Sequence, residues 1–242
     1  MDATKEELPM KLTTCLVLVA VLTLYAATAW SDAEDCEEHA ISEDWNAAFD
    51  SCKPAAASGD AMSQHILSEL YRNGRGTEKD LTAAATWAKK AAEQGLTEAQ
   101  ANLGLYYKNG AGVERNYDRA HHYLLLAAED GHAKAQSNLG LMYAEGVGVR
   151  RDMNAANKWW EASSKQGNAG AQFNLALSYI RGDGTTADVE TAHMWFLLAA
   201  AGGYRDAERA LDQLEPQLTI RQRKNGRERA KMCNSSDYER CN

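Results

Sequence analysis

Catalytic motifs are missing from this 242-residue sequence. It contains no Gly-x-Ser-x-Gly nucleophile elbow, no glycine-rich phosphate loop and no Ser-x-x-Lys motif. Cysteine is scarce as well, since there are five and none lies between residues 53 and 232. These absences argue against serine-type hydrolases, nucleotide-dependent enzymes and a cysteine-ligated metal site in the central part of the chain.

The histidines do not complete a metal site either. His121 and His122 are adjacent, so their side chains point apart on a helix, whereas a metal-binding pair needs ligands three or four residues apart. No cluster of cysteine or acidic residues accompanies them. We interpret both as surface residues, and we expect no metal site, no cofactor and no catalytic residue.

Basic residues are outnumbered by acidic ones, with 26 Lys and Arg against 34 Asp and Glu. Residues 32–215 carry a formal net charge of −11, whereas the segment from Pro216 onward has seven basic and three acidic residues. An acidic body argues against nucleic-acid binding. The basic run RQRKNGRERAK could contact an anionic surface or an acidic partner, but we favour the solvated face of an end helix.

Glycine, in contrast, is strictly periodic. Five glycines stand 36 residues apart: Gly59, Gly95, Gly131, Gly167 and Gly203. Within each period a leucine, a tyrosine, a Gly-x-Gly pair, a polar residue, an alanine and an aromatic residue recur at fixed offsets. Self-similarity at a fixed period over many columns is the mark of a stacked repeat protein.

Each period predicts two amphipathic helices, because small and apolar residues recur three or four apart, as in Ala99, Leu103 and Tyr107. Left-handed glycines end the first helices: Gly74, Gly110, Gly146 and Gly182. Polar N-caps begin the second helices: Asp80, Asn116, Asp152 and Asp188. Large aromatic residues fill the gaps between helices: Trp87, Tyr123, Trp159 and Trp195. The predicted fold class is all-α, with four complete repeats that are stable only as a stack.

The runs AQANLGLYYKNGAGVERNYDRAHHYLLLAAEDG and AQSNLGLMYAEGVGVRRDMNAANKWWEASSKQG resemble Sel-one-like repeats, relatives of the tetratricopeptide class. The resemblance covers Gly59 to about Gly203. It implies a right-handed α-solenoid superhelix of antiparallel helix pairs whose first helices line a concave face. Similar proteins usually act as scaffolds or adaptors for other proteins. Some cysteine-rich relatives have been discussed as penicillin binders, so the alternative function is an enzyme or binder acting on cell-wall material or β-lactams.

The N-terminal segment has the composition of a secretory signal. A Met-Lys pair precedes an apolar stretch over residues 12–29, which ends in the small-residue sequence Ala-Thr-Ala. Met10 is an alternative translation start, because the residues before it are acidic. An uncleaved anchor is the other interpretation, although 18 residues are marginal for spanning about 30 Å of hydrocarbon. We predict export to the periplasm or the extracellular space.

Four cysteines remain when Cys15 is removed with the leader, and no lipobox surrounds Cys15. Four cysteines allow three pairings. The ends of an extended stack should be too far apart for a bond that needs Cα atoms within about 7 Å. We therefore predict two local disulfides, Cys36 with Cys52 and Cys233 with Cys241; the alternative is two sets of free thiols.

The sequence outside the repeats predicts caps. A half-repeat precedes Gly59, although Pro54 should disturb its last turns. A last helix is predicted from near Thr219 to Met232, with Asn225-Gly226 as the point where a break could occur. The predicted domains are the signal peptide, the N-terminal cap, the four repeats and the C-terminal cap, at residues 1–31, 32–58, 59–202 and 203–242.

A row of amides on the predicted first helices is the candidate binding site: Asn102, Asn138 and Asn174. Each precedes a buried leucine by one residue and should point away from it, where it could bind the backbone of an extended peptide. Three further residues are expected on the same face: Tyr106, Met142 and Ser178. The alternative is that the asparagines satisfy backbone groups between neighbouring repeats, and no clamp lysines accompany them.

The predicted function is a non-enzymatic scaffold that binds a protein or peptide partner on the concave face. We expect a monomer that binds no nucleic acid. Contact with a membrane is expected only if the signal segment stays uncleaved.

Overall fold

A computed structural model describes residues 32–236, 238 and 241. The predicted signal segment, including Met10 and Cys15, lies outside these residues. Residues 32–236 contain no β-strand, which confirms the all-helical fold class. The chain divides into two compact units, Met1–Gln94 and Gly95–Asn242.

The first unit consists of the N-terminal cap and the first repeat. Its described helices are α1 over residues 32–41, α2 Trp45–Ser58, α3 Ala61–Asn73 and α4 Leu81–Glu93. Consecutive helices pack on each other, α2 on α3 and α3 on α4. A small core of cysteine, alanine and leucine side chains, among them Cys36, Cys52 and Leu67, lies between α1, α2 and α3.

The second unit consists of three repeats and the C-terminal cap. Its helices are α5 Thr97–Asn109, α6 Tyr117–Glu129, α7 Ala133–Glu145, α8 Met153–Ser164, α9 Ala169–Arg181, α10 Val189–Ala201, α11 Arg205–Leu214 and α12 Ile220–Ser235. A 3₁₀ turn, Glu215–Gln217, joins the last two helices. Each helix from α5 to α10 packs on the next, and α10 also contacts α11 and α12.

The predicted caps form as the sequence indicates. The side chains of Asp80, Asn116, Asp152 and Asp188 accept hydrogen bonds from the first amides of α4, α6, α8 and α10. The glycines that end the first helices have φ near +70°, the left-handed region that only glycine enters without steric cost. Helix ends are therefore fixed by local backbone chemistry.

Two expected interruptions do not occur. Pro54 lies inside α2, which continues to Ser58. α12 continues through Gly226 to Ser235, and its capping box joins Thr219 to Gln222. Gly226 is buried, so the helix gains packing that offsets the low helix propensity of glycine.

The aromatic residues fill the gaps less uniformly than predicted. Trp195 is 2% exposed, but Trp87, Tyr123 and Trp159 are only half-buried. Trp160 is the buried tryptophan of α8, and its indole donates to the carbonyl of Ser137 at 3.2 Å. It fits there because Gly140 of α7 has no side chain, and a Cβ on Gly140 would lie 2.5 Å from the ring.

Each cap contains a disulfide, between the same cysteines that sequence distance favours. Cys36 and Cys52 join α1 to α2 with a Cα separation of 4.7 Å. Cys233 and Cys241 have a Cα separation of 4.5 Å at the end of α12. Among the described residues, no helix is both long and apolar enough to cross a membrane.

Candidate interaction surface

The asparagine row lies on the first helices of the second unit, in α5, α7 and α9. All three residues are half-buried. Asn138 donates to the carbonyl of Lys134 one turn earlier at 2.8 Å, and Lys108 of α5 donates to its amide oxygen at 3.2 Å. The amide of Asn138 is thus held by its own helix and by a flexible lysine.

Three residues expected on the exposed face are buried instead. Tyr106 is 5%, Met142 0% and Ser178 3% exposed. Each follows the buried leucine of its helix by three residues, so it lies on the same face as that leucine. The expected contact face is therefore narrower, because these three side chains cannot touch a partner without local unfolding.

A second row of amides was missed by the sequence analysis. Buried glutamines recur two residues before the asparagines and, in the first repeat, two residues before Ile66: Gln64, Gln100, Gln136 and Gln172. Gln64 donates to the carbonyl of Ala56 at 3.1 Å, Gln136 to Ala128 at 3.0 Å and Gln172 to Ser164 at 3.1 Å. The acceptors lie in the last turns of the preceding second helices, where carbonyls have no partner within the helix.

Further glutamines extend this bonding within each unit. Gln166 donates to the oxygen of Gln136 and to the carbonyl of Gly131, both at 2.8 Å. Gln94 does the same in the first unit, to Gln64 at 2.8 Å and Gly59 at 2.9 Å. Glutamines therefore join neighbouring helix ends, a role that the sequence analysis considered only for the asparagines. The 36-residue recurrence of glutamine was a signal that could have revealed it.

In the second unit, the second glycine of the last two Gly-x-Gly pairs lets a turn approach the preceding repeat. A Cβ on Gly148 would lie 2.8 Å from the carbonyl oxygen of Tyr117, and one on Gly184 would lie 2.6 Å from the carbonyl carbon of Met153. Both contacts are to the first residue of the previous second helix. These glycines are therefore sites of repeat packing.

The C-terminal cap is attached to α10 through a buried histidine. His193 is fully buried, and its Nε2 lies 3.0 Å from a carboxylate oxygen of Glu215. Arg227 of α12 donates to both oxygens of the same carboxylate, at 3.0 and 3.2 Å. Hydrogen bonds from His193 and then from Arg227 hold the pKa of Glu215 below its usual value, although burial acts in the opposite direction.

The adjacent histidines of α6 point apart as expected. The Nε2 of His121 lies 3.1 Å from the hydroxyl of Tyr143, while His122 is exposed. Burial, together with the charge of His122, lowers the pKa of His121, although Asp118 opposes the shift. Within residues 32–236, 238 and 241, no three His, Cys, Asp or Glu side chains are grouped as a metal site would require.

Comparison with known proteins decides the family. The Sel1 repeat model matches four consecutive segments, 61–96, 97–132, 133–168 and 169–204. The chain belongs to the Sel1 repeat family. Sel1 repeat proteins are generally protein–protein interaction scaffolds. No protein of curated function matches the sequence.

Solved Sel1 repeat structures resemble the chain. A Sel1 repeat protein from Oxalobacter formigenes shares 31% identity over 73% of this chain and 70% of its own, with a TM-score of 0.69. The protein c5321, a protective antigen in uropathogenic Escherichia coli strains, shares 27% identity and a TM-score of 0.72 over 90% of this chain. The match spans 48% of that protein's length. A Klebsiella pneumoniae sel1 repeat protein at 23% identity and a TM-score of 0.51 shows the fold alone.

Proposed function

We propose that this Sel1 repeat protein is an exported, non-enzymatic scaffold whose asparagine row binds an extended segment of a partner protein. The proposal is supported by the different positions of two rows of amide side chains, the buried glutamines and the half-buried asparagines. Buried glutamines join neighbouring helix ends, whereas the asparagines lie at half-buried positions on the same first helices. The asparagine row remains at the surface of α5, α7 and α9.

The asparagine amides are suited to binding the backbone of an extended peptide. A primary amide offers two donors and an acceptor, which match the N–H and C=O groups of an extended peptide. Asn138 gives one donor to its own helix and accepts from Lys108, a long side chain that a peptide carbonyl could recruit instead. Lys108, which was not expected beside the asparagines because no clamp lysine was identified in the sequence, would then supply a charge-assisted bond to the peptide.

Export is supported by the disulfides. Cysteine pairs form and persist in oxidising compartments, and both pairs of this chain are bonded. The apolar segment over residues 12–29 has the composition of a secretory signal, which agrees with export. The proposed location is the periplasm or the extracellular space, with the partner in the same compartment.

The proposal is tested by changing Asn102, Asn138 and Asn174 together to alanine and capturing partners from an envelope fraction with the disulfides intact. We expect partner capture to fall at least about tenfold, because lost bonds to a partner backbone contribute about 0.5–1.5 kcal/mol each. The thermal midpoint should change little. Capture at the wild-type level would contradict the proposed site.

Gln136→Ala is the matched control. It removes two hydrogen bonds, the one from Gln136 to the carbonyl of Ala128 and the one from Gln166 to the side-chain oxygen of Gln136. At about 0.5–1.5 kcal/mol each, their loss should cost about 1–3 kcal/mol of unfolding free energy. At temperatures where this variant is folded, partner capture should stay at the wild-type level. Turnover of cell-wall fragments or a β-lactam by the purified protein would support the enzymatic alternative instead.

A further inference from the structure

We propose that the chain also associates with itself, head to tail, through contact between α1 of one copy and α12 of another. The inference rests on the charges, exposed side chains and residue spacing of these two capping helices. It uses neither the asparagine row nor the partner discussed above.

The first observation is a concentration of opposite charge in the two caps. Residues 32–44 contain seven acidic side chains and no lysine or arginine. α12 contains six basic side chains and one acidic side chain in the 16 residues Ile220–Ser235. Like charges three or four residues apart destabilise a helix. Each helix therefore carries a cost that a partner of opposite charge would remove.

The acids of α1 are not neutralised within the described structure. No ion pair among residues 32–236, 238 and 241 involves any acidic side chain of residues 32–44. Glu34, Glu37 and Glu38 are all exposed. The opposite face of the same helix packs inward, where Cys36 is fully buried and bonded to Cys52. The disulfide thus fixes which face of α1 points to solvent.

The second observation is that each helix exposes one isoleucine. Ile41 is 82% and Ile220 81% exposed, and they are the most exposed large hydrophobic residues of the described chain. Ile41 ends α1, whereas Ile220 begins α12. An exposed isoleucine beside charges of one sign can occupy the centre of a small interface, with those charges forming its polar rim.

The third observation is that the two faces have the same spacing when one helix is reversed. Counting back from Ile41, acids occur at three, four and seven residues; counting forward from Ile220, bases occur at the same offsets. The basic face consists of Arg223, Lys224 and Arg227, and these line one open surface depression together with Ile220, Glu228 and Lys231. An antiparallel helix pair would therefore place isoleucine on isoleucine and Glu38 and Glu37 beside Arg223 and Lys224.

The cationic face of α12 is free to take this role because its other face holds the helix in place. Gly226, Ala230 and Cys233 are buried against the body of the unit, and Asn225 donates to Glu190 of α10 at 3.1 Å. Arg227 already binds Glu215, and Lys224 pairs with Glu228 at 3.8 Å on the exposed surface. Because an exposed pair of this kind is weak and a partner carboxylate can replace it, Arg223 and Lys224 are the central cations of the proposed contact. A contact between two short helices buries less than the roughly 1,200 Å² of stable complexes, so it should be weak and sensitive to salt.

The test is sedimentation velocity of the purified chain, with both disulfides formed, over a range of concentrations. Association is expected at about 0.05 M salt and should be lost at about 0.5 M, where the Debye length is a few ångströms. Glu37→Lys with Glu38→Lys, or Arg223→Glu with Lys224→Glu, should each weaken association about tenfold or more, because two ion pairs become repulsive contacts. A mixture of the two double variants should associate as well as the wild type.

Glu114→Lys with Glu145→Lys is the control, because it makes the same charge change at exposed positions outside the caps. It should leave association unchanged. The register is tested by mixing Ile41→Cys with Ile220→Cys chains, which should form a crosslink between unlike copies under mild oxidation. A monomer at low salt, or self-association that the reversals do not alter, would overturn the proposal. Binding of α12 to anionic vesicles without self-association would overturn it as well.

Discussion

α8 and α10 are the second helices of successive repeats, yet they differ in burial. Position for position, exposed Lys158 of α8 corresponds to fully buried Met194 of α10, and half-buried Trp159 corresponds to buried Trp195. The cause is α12, which packs on α10, whereas no capping helix of the described residues makes a comparable contact with α8. The repeat pattern determines which residues of a second helix are buried on its inner face. The neighbouring element determines whether its outer face is buried as well.

The composition of α10 reflects this difference. Its sequence VETAHMWFLLAAA is apolar on nearly all sides, as a helix buried all round must be. α8, in contrast, carries Asn154, Lys158 and Glu161 on its outward side. The C-terminal cap therefore completes a core that the fourth repeat cannot close alone, as terminal elements of repeat proteins do.

Exchanging the residue types of α8 and α10 at the position of Lys158 and Met194 should have the largest effect on the free energy of unfolding. Met194→Lys places an ammonium group at a fully buried position without an acidic partner, and we expect a cost of about 3–5 kcal/mol. Lys158→Met, the reverse change at the exposed position, should stay within about 0.5 kcal/mol. Urea unfolding of both variants measures the two costs. Equal costs would mean that α12 does not bury the outer face of α10.

The attachment of α12 can be loosened at its closest approach. A Cβ on Gly226 would lie 2.3 Å from Nδ1 of His193, so Gly226→Val should cost about 1–3 kcal/mol through overpacking. Chymotrypsin should then cleave more rapidly near the newly exposed aromatic residues of α10. Adding His193→Ala to this variant makes room for the valine, and part of the lost stability should return. Failure of this double variant to recover stability would argue against the proposed clash.

The smallest expected effect is the loss of the stability that Glu215 contributes when the pH becomes acidic. His193 and Arg227 stabilise the carboxylate of Glu215, and its pKa is therefore lower in the folded than in the unfolded chain. The resulting stability is complete above the unfolded value of about 4.5 and is lost as the pH falls through the lower folded value. Glu215→Gln should cost about 1 kcal/mol at neutral pH, a cost that shrinks on acidification.

Thermal unfolding of wild type and Glu215→Gln between about pH 7 and pH 3 measures this dependence. Glu208→Gln is the control, because Glu208 is exposed on α11, away from the cluster. A difference between Glu215→Gln and wild type that stays constant with pH would show that the carboxylate acts through shape and not through charge.

Much of the local architecture was predictable from the sequence. The N-caps at Asp80, Asn116, Asp152 and Asp188 and the left-handed glycines follow from backbone chemistry within a few residues. The cysteine pairing followed from the positions of the cysteines at the two ends of a predicted extended stack. The sequence did not explain why Gly226 lies inside α12, because glycine usually weakens a helix. Its close contact with His193, where a Cβ would not fit, explains its presence.

The burial of the residues in the candidate site was predicted only in part. Asn102, Asn138 and Asn174 lie on first helices at half-buried positions, whereas Tyr106, Met142 and Ser178 are buried. Each of these three buried residues follows an asparagine by four positions and a core leucine by three positions. Sequence spacing places such a residue at the boundary of two faces, and the neighbouring helices decide which face it joins.

The sequence by itself determined the 36-residue repeat, the helix pairs with their caps and the segregation of cysteine and charge into the termini. These properties depend on interactions over a few residues or on composition alone. The tertiary structure decided which amides join helix ends, which side of α10 is buried and which charges of α1 and α12 face solvent. Burial and hydrogen-bond partners depend on atoms that are distant in the chain, so they exist only once the helices have packed.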